Sequence, residues 1–222
     1  MALSKLLAIR PGITAVIGGG GKTTLLGKLG EELAAGGKRV LLCTTTKILP
    51  FPGLPCARTG AELEQLRREH RLLCAGTPVP GTEKLTAPEV PMGTLVEWFD
   101  YVLVEADGAA RRPLKAHAPH EPVIPAEANQ TICVVGVSGF GQPIADAAHR
   151  PERYAALAGV PETAEATPQT EAAVLRAEGL HTRVYVNQVE TLWDLVDAKA
   201  LAALLECPVL AGSLQRGEYF PC

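Results

Sequence analysis

The chain has 222 residues, of which 47% are apolar and 20% charged, and its formal net charge is −3 with neutral histidines. This length is enough for a sizeable core, and the composition excludes a disordered chain, a collagen and a coiled coil. A net charge this close to zero gives no electrostatic reason to expect nucleic acid or an anionic membrane as a partner.

The N-terminal segment and the cysteines indicate the compartment. The first fifteen residues lack the cleavage pattern of a signal peptide, and no apolar run reaches the length of a membrane span, so we expect a cytoplasmic protein. The six cysteines include no C-x-x-C pair. They predict neither a disulfide framework nor a thiolate metal cage.

Seven short runs rich in β-branched residues alternate with amphipathic segments. The predicted strands are residues 13–17, 39–43, 71–75, 101–105, 132–137, 183–187 and 208–211. Several of them are apolar throughout, as expected of parallel strands covered on both faces. The pattern predicts an α/β fold: three αβα layers with a mostly parallel sheet, of the P-loop NTPase type, in a single domain over residues 1–222.

Helix starts and stops are marked by capping residues. The first predicted helix begins near Lys22 and ends at Gly36 and Gly37, where glycine suits a left-handed cap. Further helices begin after Thr59, Thr167 and Thr191; Thr59 and Glu62 have the spacing of a capping box. Residues 78–91 and 108–130 are predicted loops. A connection as long as the second is more often functional than not.

A glycine-rich segment follows the first predicted strand and opens the first predicted helix. It reads Val16-Ile17-Gly18-Gly19-Gly20-Gly21-Lys22-Thr23-Thr24. Glycines let backbone N–H groups turn inward around an anion, so Gly18, Gly19, Gly20, Gly21 and Thr24 are predicted to cradle phosphates. Lys22 would reach the β- and γ-phosphates and Thr23 would ligate Mg²⁺. Because Val16 replaces the first glycine of the longer motif, the loop resembles the shortened one of the Mur ligase group.

Two carboxylates follow the fourth predicted strand. Glu105 and Asp107 lie where the ligand crevice of an open α/β sheet forms. Together with Lys22 they are the predicted catalytic groups, and together with Thr23 the predicted Mg²⁺ ligands, one holding the ion while the other orients an attacking group. The alternative is that Asp107 belongs to a turn and Glu105 pairs with a nearby cation.

Three threonines and a lysine end the second predicted strand. Thr45, Thr46 and Lys47 are predicted to complete an anion pocket beside the phosphate loop. A run of β-branched threonines is equally a good strand ending.

Taken together, these segments resemble the YqeC family. The similarity is carried by GGGGKTT at 18–24, TTTK at 44–47, VEADGAARRPLKAHAPHEPVIP at 104–125 and HRPE at 149–152. The resemblance implies a P-loop nucleotide-binding fold and an accessory role in the maturation of selenium-dependent molybdenum hydroxylases. It supplies no demonstrated reaction.

One segment departs from that resemblance. Similar proteins tend to end the sixth strand in N-K-x-D, a pattern that reads guanine in GTP-binding proteins, whereas this chain has Asn187-Gln188-Val189-Glu190. Asn187 remains a predicted base contact, so either ATP or GTP is the expected nucleotide. A polar strand end that caps the next helix is the alternative.

The segment after Asp107 concentrates charge. Gly108, Arg112, Lys115, His120 and Glu121 are predicted to bind a second anion or a phosphate-bearing substrate, since Arg suits bidentate contacts and His120 can move a proton near neutral pH. The alternative is a solvated loop held by its prolines.

Three functions remain open. The first is Mg²⁺-dependent binding or hydrolysis of ATP or GTP in cofactor maturation. The second is a Mur-ligase-like or kinase-like reaction on a small acceptor. The third is a chaperone that holds the molybdenum cofactor by its phosphate. The expected partners are a nucleotide, the molybdenum cofactor or a selenium-containing small molecule, and a molybdenum hydroxylase or another maturation protein.

Overall fold

The structure, a computed structural model, describes residues 2–222. Its helices are α1 Leu3–Leu6, α2 Lys22–Ala35, α3 Gly60–Glu69, α4 Met92–Trp98, α5 Ile144–Ala147, α6 Pro151–Ala158, α7 Pro168–Glu178 and α8 Leu192–Ala202, with a 3-10 turn at Val137–Gly139. Its strands are β1 Gly12–Gly18, β2 Val40–Thr44, β3 Cys56–Ala57, β4 Leu72–Ala75, β5 Thr77–Pro78, β6 Leu85–Thr86, β7 Tyr101–Glu105, β8 Leu114–Lys115, β9 Ala128–Gly136, β10 Ala148–His149, β11 Arg183–Asn187, β12 Val209–Ser213 and β13 Glu218–Pro221.

The chain forms two compact units. The first contains Met1–Val16, Thr23–Gly108 and Val123–Gln130, and the second contains Ile17–Lys22, Ala109–Pro122 and Thr131–Cys222. The prediction of a single domain over residues 1–222 stays a prediction.

Parallel strands form the centre of the first unit, in the order β1-β7-β2-β4-β3. All five residues of β2 and of β7 are buried, because helices cover both faces of these strands. Leu63 of α3 and Leu95 of α4 pack in one apolar cluster with Leu41 of β2. On the opposite face, Gly30 of α2 lies against Leu42. This arrangement confirms the predicted αβα layers.

The second unit has the strand order β13-β12-β11-β9. Strands β9, β11 and β12 are parallel to one another, whereas β13 runs antiparallel to β12. Helix α7 packs against α6 and α8. Thr167 and Thr191 cap α7 and α8 as predicted, each accepting a hydrogen bond from the N–H three residues on.

Several elements were not predicted. The region predicted as a loop at 78–91 contains β6, which pairs antiparallel with β5. The second predicted loop, 108–130, contains β8 and the start of β9. Strand β9 begins four residues before the predicted start. Its polar Asn129 and Gln130 side chains donate hydrogen bonds to the Pro11 and Leu7 carbonyls, which the sequence pattern does not reveal. In residues 2–222, every helix is too short or too polar to cross a bilayer.

The capping box predicted at Thr59 forms only in part. Thr59 Oγ1 accepts a hydrogen bond from the Glu62 N–H at 3.2 Å. The Glu62 carboxylate accepts from the Arg58 N–H at 2.7 Å instead of from Thr59, because it reaches one residue further back along the chain.

Candidate functional site

The glycine loop of residues 18–21 is anchored within the second unit by backbone hydrogen bonds. The Gly19 N–H donates to the Val134 carbonyl at 2.9 Å and the Gly20 N–H donates to the Arg112 carbonyl at 3.1 Å. The Gly136 N–H donates to the Pro113 carbonyl at 2.9 Å, which ties the same strand end to the same segment. The loop therefore has a defined shape without any ligand.

Side chains cannot replace these glycines. Gly20 has φ +75°, and a Cβ atom there would overlap the Gly136 backbone; a Cβ atom on Gly19 would lie 2.6 Å from the Pro113 carbonyl oxygen. Gly18 and Gly21 also have positive φ angles, +93° and +125°. Close backbone approach and left-handed conformations together explain the run of four glycines.

Lys22 follows the loop and is the first residue of α2. Its side chain is buried, and Nζ donates to the Gly18 carbonyl at 2.6 Å, so the ammonium closes over the loop that precedes it. The first N–H groups of a helix have no intrahelical acceptor and carry partial positive charge. Lysine and helix end together favour an anion here.

Asn187, at the end of β11, contacts the loop. Its Nδ2 donates to the Gly20 carbonyl at 2.7 Å, and its Oδ1 accepts from the Leu214 N–H at 3.2 Å. The Asn187 amide group therefore links the glycine loop to Leu214. The predicted contact of Asn187 with a nucleotide base stays a prediction. The side chain of neighbouring Gln188 accepts a hydrogen bond from the Ser138 hydroxyl, and its backbone has a φ angle of +68°.

In the first unit, Thr23 contacts the carboxylate that ends β7. Thr23 Oγ1 donates to Glu105 Oε2 at 2.7 Å, and Glu105 is 7% exposed. The side chain of Asp107, two residues on, is completely buried. Thr23 and Glu105 are thus in direct contact, and their predicted role as Mg²⁺ ligands stays a prediction.

The threonines after β2 bind the same strand end through its backbone. Thr44 Oγ1 donates to the Glu105 carbonyl at 2.7 Å and accepts from the Thr46 N–H at 2.9 Å. Thr45 Oγ1 donates to the Val123 carbonyl at 2.6 Å, and Lys47 is exposed. These hydroxyls order the strand ends, and whether Thr45, Thr46 and Lys47 also bind an anion stays a prediction.

The Thr23 and Glu105 oxygens fit a hard cation. Mg²⁺ prefers oxygen ligands and usually takes one or two carboxylates, leaving other positions to phosphate and water. Residues 2–222 contain no cluster of three or more His, Cys, Asp or Glu that could enclose a metal by itself.

The charged segment 109–122 is largely tied into the second unit. Lys115 Nζ lies 3.0 Å from Glu121 Oε2, and Arg150 Nε lies 2.7 Å from Glu121 Oε1. Burial raises the pKa of Glu121, but the hydrogen bonds from Arg150 and Lys115 outweigh it and hold that pKa below its ordinary value. Strands β8 and β10 bring the two segments together, with His149 opposite Lys115.

The other residues of that segment differ in exposure. His117 is buried, and its Nδ1 lies 2.7 Å from Glu178 Oε2. Gly108, Arg112 and His120 are exposed. The solvated-loop alternative is thus wrong for Lys115 and His117, and the predicted substrate role of Gly108, Arg112, Lys115, His120 and Glu121 stays a prediction.

A cavity of about 260 Å³ borders the first turns of α2 in the first unit. The polar side is formed by the helix and the apolar side by the segment after β2. The lining residues are Thr23, Thr24, Gly27, Lys28, Glu31, Phe51, Pro52 and Leu54. The apolar side was missed because Phe51, Pro52 and Leu54 stand in a proline-rich stretch with no periodic pattern.

Cys43 was the cysteine nearest the predicted site in the sequence. It is completely buried, and this burial raises the pKa of its thiol to about 12. A thiol that stays protonated is a poor nucleophile.

Comparisons with known proteins give a family and several weaker likenesses. The model of the YqeC protein family matches residues 14–152. The uncharacterized protein YqeC of Escherichia coli (strain K12) is 35% identical over 169 residues, which are 72% of this chain and 65% of that protein. This chain therefore spans less than two thirds of that relative's length.

Three solved structures have a chain path that resembles this one. The hydrogenase maturation factor HypB from Archaeoglobus fulgidus is 12% identical with a TM-score of 0.43, and the match covers 98% of this chain and 87% of that chain. The signal recognition particle 54 kDa protein from Aeropyrum pernix K1, in complex with GDP, is 16% identical with a TM-score of 0.42, and the match covers 96% of this chain and 44% of that chain. FtsY from Mycoplasma mycoides is 12% identical with a TM-score of 0.46, and the match covers 96% of this chain and 64% of that chain.

Proposed function

The chain belongs to the YqeC family, and from that premise we propose that it binds ATP or GTP with Mg²⁺ and serves the maturation of selenium-dependent molybdenum hydroxylases. The observation that carries the nucleotide part is the anchored loop of four glycines, which ends in Lys22 at the start of α2. The maturation role comes from the family resemblance alone.

In this proposal the loop and the following helix hold the phosphates. Gly18, Gly19, Gly20 and Gly21 keep side chains away, so that Thr24 and the N–H groups of the first turn of α2 approach the anion closely. The Gly19 and Gly20 N–H groups stay bonded to backbone carbonyls and hold the shape of the loop. Lys22 exchanges the neutral Gly18 carbonyl for a phosphate oxygen, because a charge-assisted hydrogen bond is stronger than one to a carbonyl. Lys22 then stabilises charge that develops on the terminal phosphate.

The acidic strand end supplies the cation and water contacts. Thr23 and Glu105 would hold Mg²⁺, which neutralises phosphate charge when it is bound. Asp107 lies two residues beyond Glu105, and we assign it the orientation of the attacking group. Both Glu105 and Asp107 are buried, which strengthens their electrostatic interactions.

Calorimetric titration of ATP and GTP, each with Mg²⁺, tests the proposal. Lys22→Ala is expected to weaken binding on the order of 10- to 100-fold, since a hydrogen bond to a charged group is lost. Lys38→Ala, which removes an exposed lysine just beyond α2, is the matched control and should bind like the wild type. If the wild type binds neither nucleotide at millimolar concentration, the proposal is wrong.

The role of Mg²⁺ has its own readout in the same experiment. Omitting Mg²⁺ is expected to weaken nucleotide binding by the wild type. Thr23→Val keeps the shape of the side chain but removes the hydroxyl, so its affinity should depend less on Mg²⁺ than that of the wild type. Equal Mg²⁺ dependence in both proteins would contradict the assignment of Thr23 as a ligand.

A second candidate function is transfer to a small acceptor, as in a kinase or a Mur-like ligase. The cavity of about 260 Å³ beside Thr23 and Thr24 favours it, because an acceptor there would lie next to the residues that follow the loop. Turnover of nucleotide that appears only with an added acceptor would support this function. Tight binding of a phosphorylated pterin without any turnover would instead support a chaperone that holds the molybdenum cofactor.

A further inference from the structure

Cys56 and Cys74 are direct neighbours in the first unit. Strands β3 and β4 are parallel, and their register pairs Cys56 with Cys74 and Ala57 with Ala75. Neighbouring strands lie about 4.7–4.9 Å apart, which is within the usual Cα separation of about 4.4–6.8 Å for a disulfide. The backbone therefore already brings the two cysteines to bonding range.

The two thiols share one face of these strands. Ala57 and Ala75 belong to the apolar cluster beneath α3 and α4, so the alternation of side chains places Cys56 and Cys74 on the opposite face. Cys74 is 1% exposed, whereas Cys56 is half-buried. Cys56 is thus the more accessible of the two residues, and Cys74 is the shielded one.

Their environments make the accessible thiol the more acidic one. A hydrogen bond from the Cys74 thiol lowers the pKa of Cys56 to about 7; burial opposes this shift, and the positive charge of Arg58 adds to it. The same pairing and burial raise the pKa of Cys74. A low pKa on the exposed partner and a high one on the shielded partner is the arrangement of an attacking and a resolving thiol.

Other cysteines of the chain have the opposite character. Burial raises the pKa of Cys43, of Cys207 and of Cys222. Thiolate is the species that attacks disulfides, so these three react more slowly at neutral pH.

We propose that Cys56 and Cys74 form a thiol–disulfide exchange site, in which Cys56 attacks a low-molecular-weight disulfide and Cys74 resolves the mixed disulfide. This site is independent of nucleotide binding.

The exchange balances in two steps. The Cys56 thiolate attacks one sulfur of glutathione disulfide, a Cys56–glutathione bond forms, and one glutathione thiolate leaves. Cys74 then attacks the Cys56 sulfur and the Cys56–Cys74 bond forms. The Cys56–glutathione bond breaks, and the proton of Cys74 passes to the leaving glutathione sulfur, which departs as a thiol. The protein is oxidised by two electrons, and one glutathione disulfide is reduced to two thiols.

The test is incubation of the full chain with glutathione disulfide at neutral pH, followed by alkylation in denaturant and peptide mass spectrometry. The wild type is expected to yield a Cys56–Cys74 crosslinked peptide. Cys74→Ser should stop at the Cys56–glutathione adduct, Cys56→Ser should leave Cys74 reduced, and the control Cys222→Ser should form the same crosslink as the wild type. A wild type with both thiols still free at every glutathione disulfide concentration would overturn the proposal.

A second measurement tests whether Cys74 makes the Cys56 thiol more reactive or only lies close to it, and this measurement does not depend on the crosslink. The rate of Cys56 alkylation by iodoacetamide is followed between pH 5 and 9 in the wild type and in Cys74→Ala, whose side chain has no hydrogen-bond donor, with melting curves to show that the variant is folded. The wild-type rate should reach half its maximum near pH 7, and the variant at a higher pH because the hydrogen bond from a thiol is lost. Identical profiles for two folded proteins would contradict the assignment of Cys74.

Discussion

Glu171 is a buried carboxyl group whose hydrogen bonding is only partly satisfied. It lies on α7, is 2% exposed, and its Oε2 has no hydrogen-bond partner in residues 2–222. Burial raises its pKa to about 8; the Tyr154 hydroxyl and His117 lower it, and Glu178 raises it further. The folded chain therefore keeps a proton on Glu171 that the unfolded chain loses near pH 4.5.

This proton links stability to pH. Between about pH 4.5 and 8 the folded state binds more protons than the unfolded state, so the free energy of unfolding falls as pH rises, by up to about 1.4 kcal/mol per pH unit from this group. Glu171→Gln should remove that slope and exceed the wild type in stability most clearly at pH 8. Urea unfolding at pH 5, 6, 7 and 8 measures it, with exposed Glu165→Gln as the control that keeps the wild-type slope.

At the scale of the element, a comparison of two glycines separates the cost of backbone strain from the cost of steric overlap. Gly20 and Gly81 have nearly the same φ angle, +75° and +73°, but a Cβ atom on Gly20 would overlap Gly136, whereas nothing lies within 4 Å of one on Gly81. Both sites carry the cost of a left-handed alanine, about 1–2 kcal/mol. At Gly20 alone, an alanine would also have to displace the Gly136 backbone.

Gly20→Ala is accordingly expected to lower the free energy of unfolding by more than Gly81→Ala, and to abolish nucleotide binding that Gly81→Ala retains. Chemical denaturation and calorimetric titration of the two variants give both quantities. Equal losses of stability in the two proteins would show that the loop moves aside to admit a side chain.

The same scale shows which elements a sequence can specify. Strands such as β2 and β7 were predicted within one residue, because a strand buried on both faces needs a continuous apolar run. The two-residue strands β3, β8 and β10 carry no periodic pattern. They form only because chain segments distant in sequence meet, as His149 meets Lys115.

The candidate site follows the same rule. The glycine loop and Lys22 were predictable, since a strand-glycine-helix order constrains neighbours in the chain. The contact between Thr23 and Glu105 was not, because these residues are 82 positions apart. The ion pairs of Glu121 with Lys115 and Arg150 were not, because nothing in the sequence states that Arg150 lies beside Glu121. Charges that looked available for a substrate are thus used within the second unit.

For the whole molecule, the interleaving of the two units bears on cooperativity. Each unit consists of three chain segments, so the chain passes repeatedly from one to the other. Neither unit is a continuous piece of chain that can fold by itself. We therefore expect the predicted single domain to unfold in one transition.

Native-state hydrogen exchange measures this expectation. The slowest amides of β2 and β7 in the first unit and of β11 and β12 in the second should exchange with the same free energy of opening, and that value should equal the free energy of global unfolding. A difference of more than about 1 kcal/mol between the two sets would show that the units open separately.

The end strands β3 and β13 bear on how copies of this chain behave at high concentration. An uncovered edge strand has unpaired N–H and C=O groups, and a strand of another molecule can pair with them, which is the first step toward fibrous aggregates. Strand β3 has only two residues and follows Pro55, and β13 ends in Pro221, which has no N–H to offer. Both edges are thus poor templates, and prolines that break no interior hydrogen bond help to keep the protein dispersed.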